Sequence, residues 1–272
     1  MDGNGFTFGS VENGTSSDIS IQTTVKHQVN LVNTQGLTLS FWDGSNPANQ
    51  NNNSIDGGDG TWNASDSDWT DSNGQLNGRW QTSQFAIFTG AKGTVTIDNS
   101  TAGSAVTASG VQFSTDGYRL EGEALTLANT EVPIIRVDKD VTATIKVELQ
   151  GTQGLNKTDF GTLILTGENH YSGGTTVSEG ILQLGDGGNS GSIDGDVVLA
   201  RTAYDYGTLA FNRSDTLSFA GAISGEGEVL QQGEGTTTFT GNNSYSGGLT
   251  VEKGTAQAGI ADIAFGSGRL TV

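Results

Sequence analysis

Apolar and polar residues alternate along this chain with a period of two over short stretches, and long helical periodicity is absent. Ile19-x-Ile21, Val25, Val29-x-Leu31 and Leu37-x-Leu39-x-Phe41 place every second side chain on one face, the pattern of a half-buried strand. The alternation returns at Phe85-x-Ile87, Val95-x-Ile97, Val111-x-Phe113, Leu120 and Leu125-x-Leu127. Residues 132–149 add two more strands, with Val141, Ile145, Val147 and Leu149 as inward candidates. Gly, Asn, Asp and Ser separate the runs, as turn residues do. The pattern predicts an all-β chain of many short strands.

One segment recurs. Leu163 to Leu182 reads LILTGENHYSGGTTVSEGIL, and 74 residues later Thr237 to Ala256 reads TTFTGNNSYSGGLTVEKGTA. The identical positions include Gly167 and Gly241, Asn169 and Asn243, Tyr171 and Tyr245, and the pairs Gly173-Gly174 and Gly247-Gly248. A fixed-period echo marks stacked supersecondary units. With about three apolar clusters in each period, coils of about 20 to 25 residues are expected. One such coil cannot bury its apolar face; stacked coils can, each strand bonding to the coil above and below at about 4.8 Å. The expected fold is a parallel β-helix, right-handed because crossovers between parallel strands are. Residues 1–150 are assigned to its N-terminal coils and 151–272 to the repeat coils. About a dozen coils would give a rod about 55 to 60 Å long. Asn169 and Asn243 are expected at equivalent corners, bonding their own backbone in a left-handed conformation. The Gly-Gly pairs would supply positive φ for the next turn.

Trp42 to Trp80 breaks the pattern. It holds all four tryptophans (Trp42, Trp62, Trp69, Trp80), six aspartates and an Asn cluster at 49–53, and no Lys or Arg lies between Lys26 and Arg79. This predicts a long acidic loop or hairpin excursion folded over the side of the β-helix. Four indoles of about 150–250 Å² each cannot all be solvated cheaply. Trp62 and Trp80 are the expected anchors, whereas Trp69, flanked by Asp68 and Asp71, is expected to be exposed. A binding face for a sugar or a cationic partner would then use Trp62, Trp69 and Trp80 with Asp66, Asp68 and Asp71. The competing reading is that all four indoles pack and the acids only solvate the loop. Tyr171 and Tyr245 carry the same choice, between surface contacts and an aromatic ladder packing coil on coil.

Composition narrows the classes. Gly is 42 of 272 residues, against a usual share of about 7%, but only two prolines occur, so the glycines belong to turns rather than to collagen or a Pro-rich linker. There is no cysteine, so disulfides hold nothing together. A formal net charge of −18 opposes binding to nucleic acid and to anionic lipid. No apolar run is long enough to cross a bilayer as a helix, and direct membrane insertion is not expected. Met1-Asp2-Gly3 has neither the basic start nor the apolar core of a signal peptide, and the chain is expected to be a piece of a longer protein.

The residues carry a resemblance. Thr166-Gly167-x-Asn169-x-Tyr171-Ser172-Gly173-Gly174-Thr175-Thr176-Val177-x-x-Gly180-x-Leu182 resembles the passenger-associated strand repeat of Gram-negative autotransporters, the type V secreted surface proteins. Phe41-Trp42-Asp43-Gly44, Gly57-Gly58-Asp59-Gly60-Thr61-Trp62-Asn63 and Asp116-Gly117-Tyr118 resemble the stretch that precedes such repeats. Ala264-Phe265-Gly266-Ser267-Gly268 is similar to their recurring A-L-G-S-G corner, with Phe265 in place of Leu. The resemblance covers residues 37–272. It implies a β-helical stalk displayed at the cell surface, outside the outer membrane, acting in adhesion, aggregation or biofilm formation. The implied partners are a host-surface or matrix ligand, a glycan, or a second copy on another cell.

Catalytic readings find little support. Gly188-Asn189-Ser190-Gly191-Ser192 resembles the GDSGS of serine-protease passengers, with Asn189 where Asp would stand. A Ser nucleophile needs an oriented base, and only His27 and His170 exist. Asp66-x-Asp68, Asp138-x-Asp140 and Asp194-x-Asp196 could pair carboxylates for glycoside cleavage, yet Asp-rich turns suit any soluble β-helix. No enzyme, cofactor or structural metal is expected. Gly57 to Trp62 begins like a Ca²⁺-binding nonapeptide but has Trp62 where a ligand Asp belongs, leaving loose Ca²⁺ binding by Asp56, Asp59, Asp66, Asp68 and Asp71 open. The alternative function is a polysaccharide-binding or polysaccharide-cleaving module with the tryptophan stretch as its site.

Overall fold

In the computed structural model, which describes residues 39–82, 84–100, 105–260 and 263–272 with the backbone of 19–22 and 30–33, the alternating runs become strands of two to five residues. Such short strands cannot shield an apolar face alone, so each pairs in parallel with the strands one coil before and after it. The chain is an all-β solenoid with three faces. On the first face eight strands run parallel, from Leu39–Trp42 to Ile223–Gly225; on the second, ten run parallel, from Gly60–Trp62 to Leu270–Thr271. Short ladders such as Leu125–Leu127 and Thr236–Phe239 make the third. The expected strand positions at Val25, Val29 and Leu37 lie outside the described residues.

Register converts the period of two into a core. On the second face Val95, Leu120, Ile145, Leu165, Leu184 and Phe211 stand directly above one another, and all are buried. Each such side chain taken from water contributes about 1.5–3 kcal/mol. The residues between them point outward.

Two expectations are corrected by the register. Among the described residues the nine steps between ten second-face strands give a stack of about 43 Å, shorter than the rod of about a dozen coils expected. Coil length is the reason: from Phe85 onward it varies from 19 residues (Thr162 to Ile181) to 27 (Gly180 to Gly207), while the step from Leu39 to Phe85 takes 46 and that from Gly60 to Val95 takes 35. Second, the Trp-rich stretch does not fold over the side. Its hairpin, Trp69–Thr70 with Asn77–Gly78, pairs antiparallel beyond Leu39–Trp42 and ends the first face.

The 74-residue echo is not a whole number of coils. Three full coils run from Thr162 to Glu228, 66 residues, and the remaining eight carry the chain one face further. Thr162–Leu165 therefore lies on the second face, while its echo Thr236–Phe239 lies on the third. Thr175–Val177 and its echo Leu249–Val251 are displaced in the same way, from first face to second.

The turn between these strands is as tight as the sequence implies. Gly173 has φ 93° and Gly174 φ 79°; in the echo only Gly248, at 107°, is left-handed. A Cβ on Gly173 would stand 2.6 Å from the backbone N of Gly154 in the coil below. Gly173→Val should lower stability by about 1–3 kcal/mol or more, read as a fall in the thermal melting midpoint of the whole chain.

Candidate functional site

The four indoles of the Trp-rich stretch converge. Trp42, Trp62, Trp69 and Trp80 are 0%, 0%, 2% and 4% exposed, so no indole face is offered to solvent. Trp69 lies 5.2 Å from Trp42, 4.9 Å from Trp62 and 4.4 Å from Trp80, ring centre to ring centre. Phe88 packs against Trp42, Trp62 and Trp69 and stacks on Phe113 one coil on, so the cluster is continuous with the solenoid core. Trp42 Nε1 donates to Gly58 O at 2.8 Å and Trp80 Nε1 to Thr107 O at 2.9 Å. Trp62 and Trp80 are inside, as anchors should be. The expected exposure of Trp69 is corrected: its strand lies against Trp42 across the ladder, and that cross-strand neighbour outweighs the acids beside it in sequence.

The carboxylates divide. Asp68 is buried, accepting from Ser45 Oγ and from Gln50 Nε2 at 3.3 Å. Asp43 is buried too, accepting from Asp56 N at 2.7 Å and Asn77 Nδ2 at 2.9 Å. Burial pushes both above the usual carboxylate range, against the hydrogen bonds from Asp56 N and Asn77 to Asp43 and from Ser45 and Gln50 to Asp68, which pull the other way. Asp66 and Asp71 are exposed, one accepting from Asn63 Nδ2 at 2.8 Å and the other from Asn73 N at 2.7 Å. The six residues thus form a packed interior with separate outer turns. Among the described residues no group of three or more His, Asp or Glu is placed to hold a metal ion.

The repeat residues act between coils. Asn169 Oδ1 accepts from Leu149 N at 2.9 Å, 20 residues back, and its Nδ2 donates to Gly167 O and Ser192 O, each at 2.8 Å. Asn243 does the same with Ile223 N at 2.8 Å and Ala264 O at 2.5 Å. Neither has positive φ, so the expected left-handed corner is corrected to an inter-coil bracket. Gly167 and Gly241 are close approaches, where a Cβ would meet Val147 O at 2.4 Å and Gly221 O at 2.2 Å. Gly247, without positive φ, is another, its Cβ 2.4 Å from Gly227 O. Tyr171 and Tyr245 are buried, and Tyr171 Oη bonds Thr175 Oγ1 at 2.7 Å. They pack without forming an aromatic ladder: among the described residues neither ring stacks on another.

One buried charge escaped the sequence reading. Lys157 stands in the inward line Val111–Ile135–Lys157–Val177–Leu199 and is fully buried. Its Nζ donates to the carbonyls of Asp159, Gly161 (2.6 Å) and Glu179 (2.9 Å), closing the turn. Burial pulls it down to about 7, against the opposing pull of Asp159, Glu179 and Asp205. Its echo, Gln231, crosses the equivalent turn to Gly233 O at 2.9 Å and Gly235 O at 3.5 Å. The signal was present: a polar residue in an inward slot at both copies.

The catalytic candidates stay apart. His170 is exposed and its Nδ1 lies 3.0 Å from Glu148, and no hydrogen bond joins it to Ser190 among the described residues. His27 lies outside the described residues. Asp138 is buried on Gln112 and Arg136, while Asp140 is exposed.

Two outcomes follow from this packing. Trp69→Ala should cost about 3–5 kcal/mol and change the near-ultraviolet circular dichroism of the remaining indoles; an unchanged melting midpoint would mean the cluster is not core. Folded Lys157 sits near 7 and unfolded near 10.5, so the folded state binds fewer protons between these values and stability rises with pH there. Lys157→Gln should flatten the rise in urea midpoint across this window while leaving the midpoint's value near pH 7 little changed.

Comparison with known proteins agrees with this architecture. The model of the passenger-associated-transport-repeat family matches residues 155–184 and 229–255, the two echo segments. An adhesin autotransporter, BmaC, of Brucella suis biovar 1 (strain 1330) is 39% identical over 269 residues, covering 88% of this chain and 8% of the relative. The chain thus spans a small fraction of that relative's length. No solved structure matches. The two repeats, the stack they build and the similarity to an adhesin autotransporter identify the chain as a segment of an autotransporter passenger, displayed at the cell surface outside the outer membrane.

Proposed function

We propose that this segment is a non-catalytic, adhesive length of passenger, a stiff stalk whose flanks contact a surface ligand. The observation that carries the reading is the similarity, over nearly the whole chain, to a protein named as an adhesin. The solenoid supports it, because coil-on-coil bonding gives a rod whose outward side chains form extended, regular faces. The ligand classes are a matrix or host-surface protein, a glycan, or a second copy of the passenger. The alternative, a polysaccharide-cleaving module centred on the tryptophans, is not favoured, since the indoles are inside the fold. Any Ca²⁺ dependence would be loose, through exposed acids such as Asp66 and Asp71.

The test coats beads with the chain and measures retention on immobilised matrix proteins, on glycans and on the chain itself, with release of reducing sugar followed in parallel. Retention on at least one surface without sugar release is the expected result. Sugar release abolished by Asp66→Asn with Asp68→Asn would replace this reading with the enzymatic one.

A further inference from the structure

Among the described residues the exposed aromatic side chains number three, and all stand on one edge of the rod. Phe160, Tyr204 and Tyr206 are 40%, 86% and 42% exposed. Each lies at the corner where a coil passes from the first face to the second. Most tyrosines here are buried; the two exposed ones share a single insertion.

That insertion is built. Neighbouring coils turn this corner in two residues, Ser178-Glu179 and Glu226-Gly227. The coil between them places residues 200–206 there as a small hairpin. Arg201 bridges Tyr206 antiparallel, Gly207 N donates to Ala200 O at 2.8 Å, and Thr202 N to Asp205 O at 2.8 Å. Thr202 Oγ1 accepts from Tyr204 N and Asp205 N, each at 3.2 Å, so Tyr204 sits on a closed turn. Arg201 Nη1 reaches Glu226 Oε2 on the next coil at 3.2 Å. Phe160 is held as well: Asp159 has φ 65°, accepts from Phe160 N at 2.7 Å and pairs with Arg136 at 2.8 Å. Two coil steps, about 10 Å, separate Phe160 from the hairpin.

The charge at this corner is negative. Asp159, Glu179 and Asp205 all lie close enough to the buried Lys157 to act on it, and Glu226 borders them through Arg201. Arg201 is committed to Glu226, and Arg136 to Asp138 and Asp159. The carboxylates of Glu179 and Asp205 have no hydrogen-bond or ion-pair partner among the described residues. Aromatic faces beside unpaired carboxylates, preorganised on a rigid edge, complement a cation carried on an apolar stem.

We propose that this corner is a docking surface for a basic polypeptide segment. Its Lys or Arg side chains would pair with Glu179 and Asp205 and lie across Tyr204, Tyr206 and Phe160. The proposal names a partner class for the adhesive role above and rests on that reading.

The test uses the whole chain and a labelled dodecapeptide of alternating Arg and Ser, followed by fluorescence anisotropy at about 0.15 M salt, where long-range charge is screened. Replacing Phe160, Tyr204 and Tyr206 together by Ser keeps the net charge and should weaken binding about tenfold or more. Glu179→Gln with Asp205→Asn should weaken it comparably, whereas Glu234→Gln with Glu252→Gln at another corner should stay within about twofold. Unchanged binding by the triple-Ser variant, or equal losses from both charge pairs, would overturn the proposal. So would binding of a neutral oligosaccharide at this corner with no peptide bound. If the triple change lowers the melting midpoint, Tyr204→Ser alone carries the test, because that side chain touches little of the fold. Bead adhesion that survives loss of the three aromatics sinks this inference and leaves the adhesive reading; peptide binding at the corner without adhesion to any surface does the reverse.

Discussion

Every coil of this molecule depends on the coil beside it. A turn of about 20 residues has too little apolar surface to fold alone, and its strands leave their N–H and C=O groups unpaired on both edges. Stacking answers both needs at once: the ladder closes the hydrogen bonds, and the inward line from Val95 to Phe211 becomes continuous apolar packing. What such a stack cannot do is shield its own end. The tryptophan cluster does this, adding an antiparallel hairpin beyond Leu39–Trp42 and filling the end of the core with four indoles. Phe211, Phe219, Phe239 and Phe265 thicken the core toward the other end.

Three-sided coils also bring turn carbonyls into the interior, where each would cost about 1–3 kcal/mol if left unbonded. Lys157 and Gln231 reach them from inward slots, and Asn169 and Asn243 bond from one coil to the next. Arg213 holds the 185–191 turn through Asn189 O and Gly191 O while paired with Asp215. These residues interrupt the apolar lines, and they are why the corners stay tight.

Much of this was legible in the sequence. The strands were readable because an inward residue must alternate with an outward one, and Val111-x-Phe113 or Ile145 could face no other way. The Gly-Gly turn was readable because positive φ favours glycine. Coil number was not, since nothing local marks where a coil gains residues 200–206, although the 46-residue coil is flagged by the break in alternation at Trp42 to Trp80. The burial of Trp69 was not legible for a similar reason: sequence gives its neighbours along the chain, Asp68 and Asp71, whereas its environment is set by Trp42 and Trp80 across the fold. Asn169 does bond its local backbone at Gly167 O, but its other two partners, Leu149 N and Ser192 O, lie 20 residues back and 23 ahead, where the chain's local pattern gives no sign of them.

The one-face slip between the two repeats gives the surface a screw sense. Outward residues of the second copy point roughly a third of a revolution away from those of the first, about 15 Å further along the axis. A flat receptor lying against the rod therefore meets one copy and misses the other. Identical motifs on this segment cannot act as two hands of a bivalent grip on one plane. Partners approaching from different azimuths can each find a copy, so the repeat favours cross-linking many molecules around the rod over holding a single one more tightly.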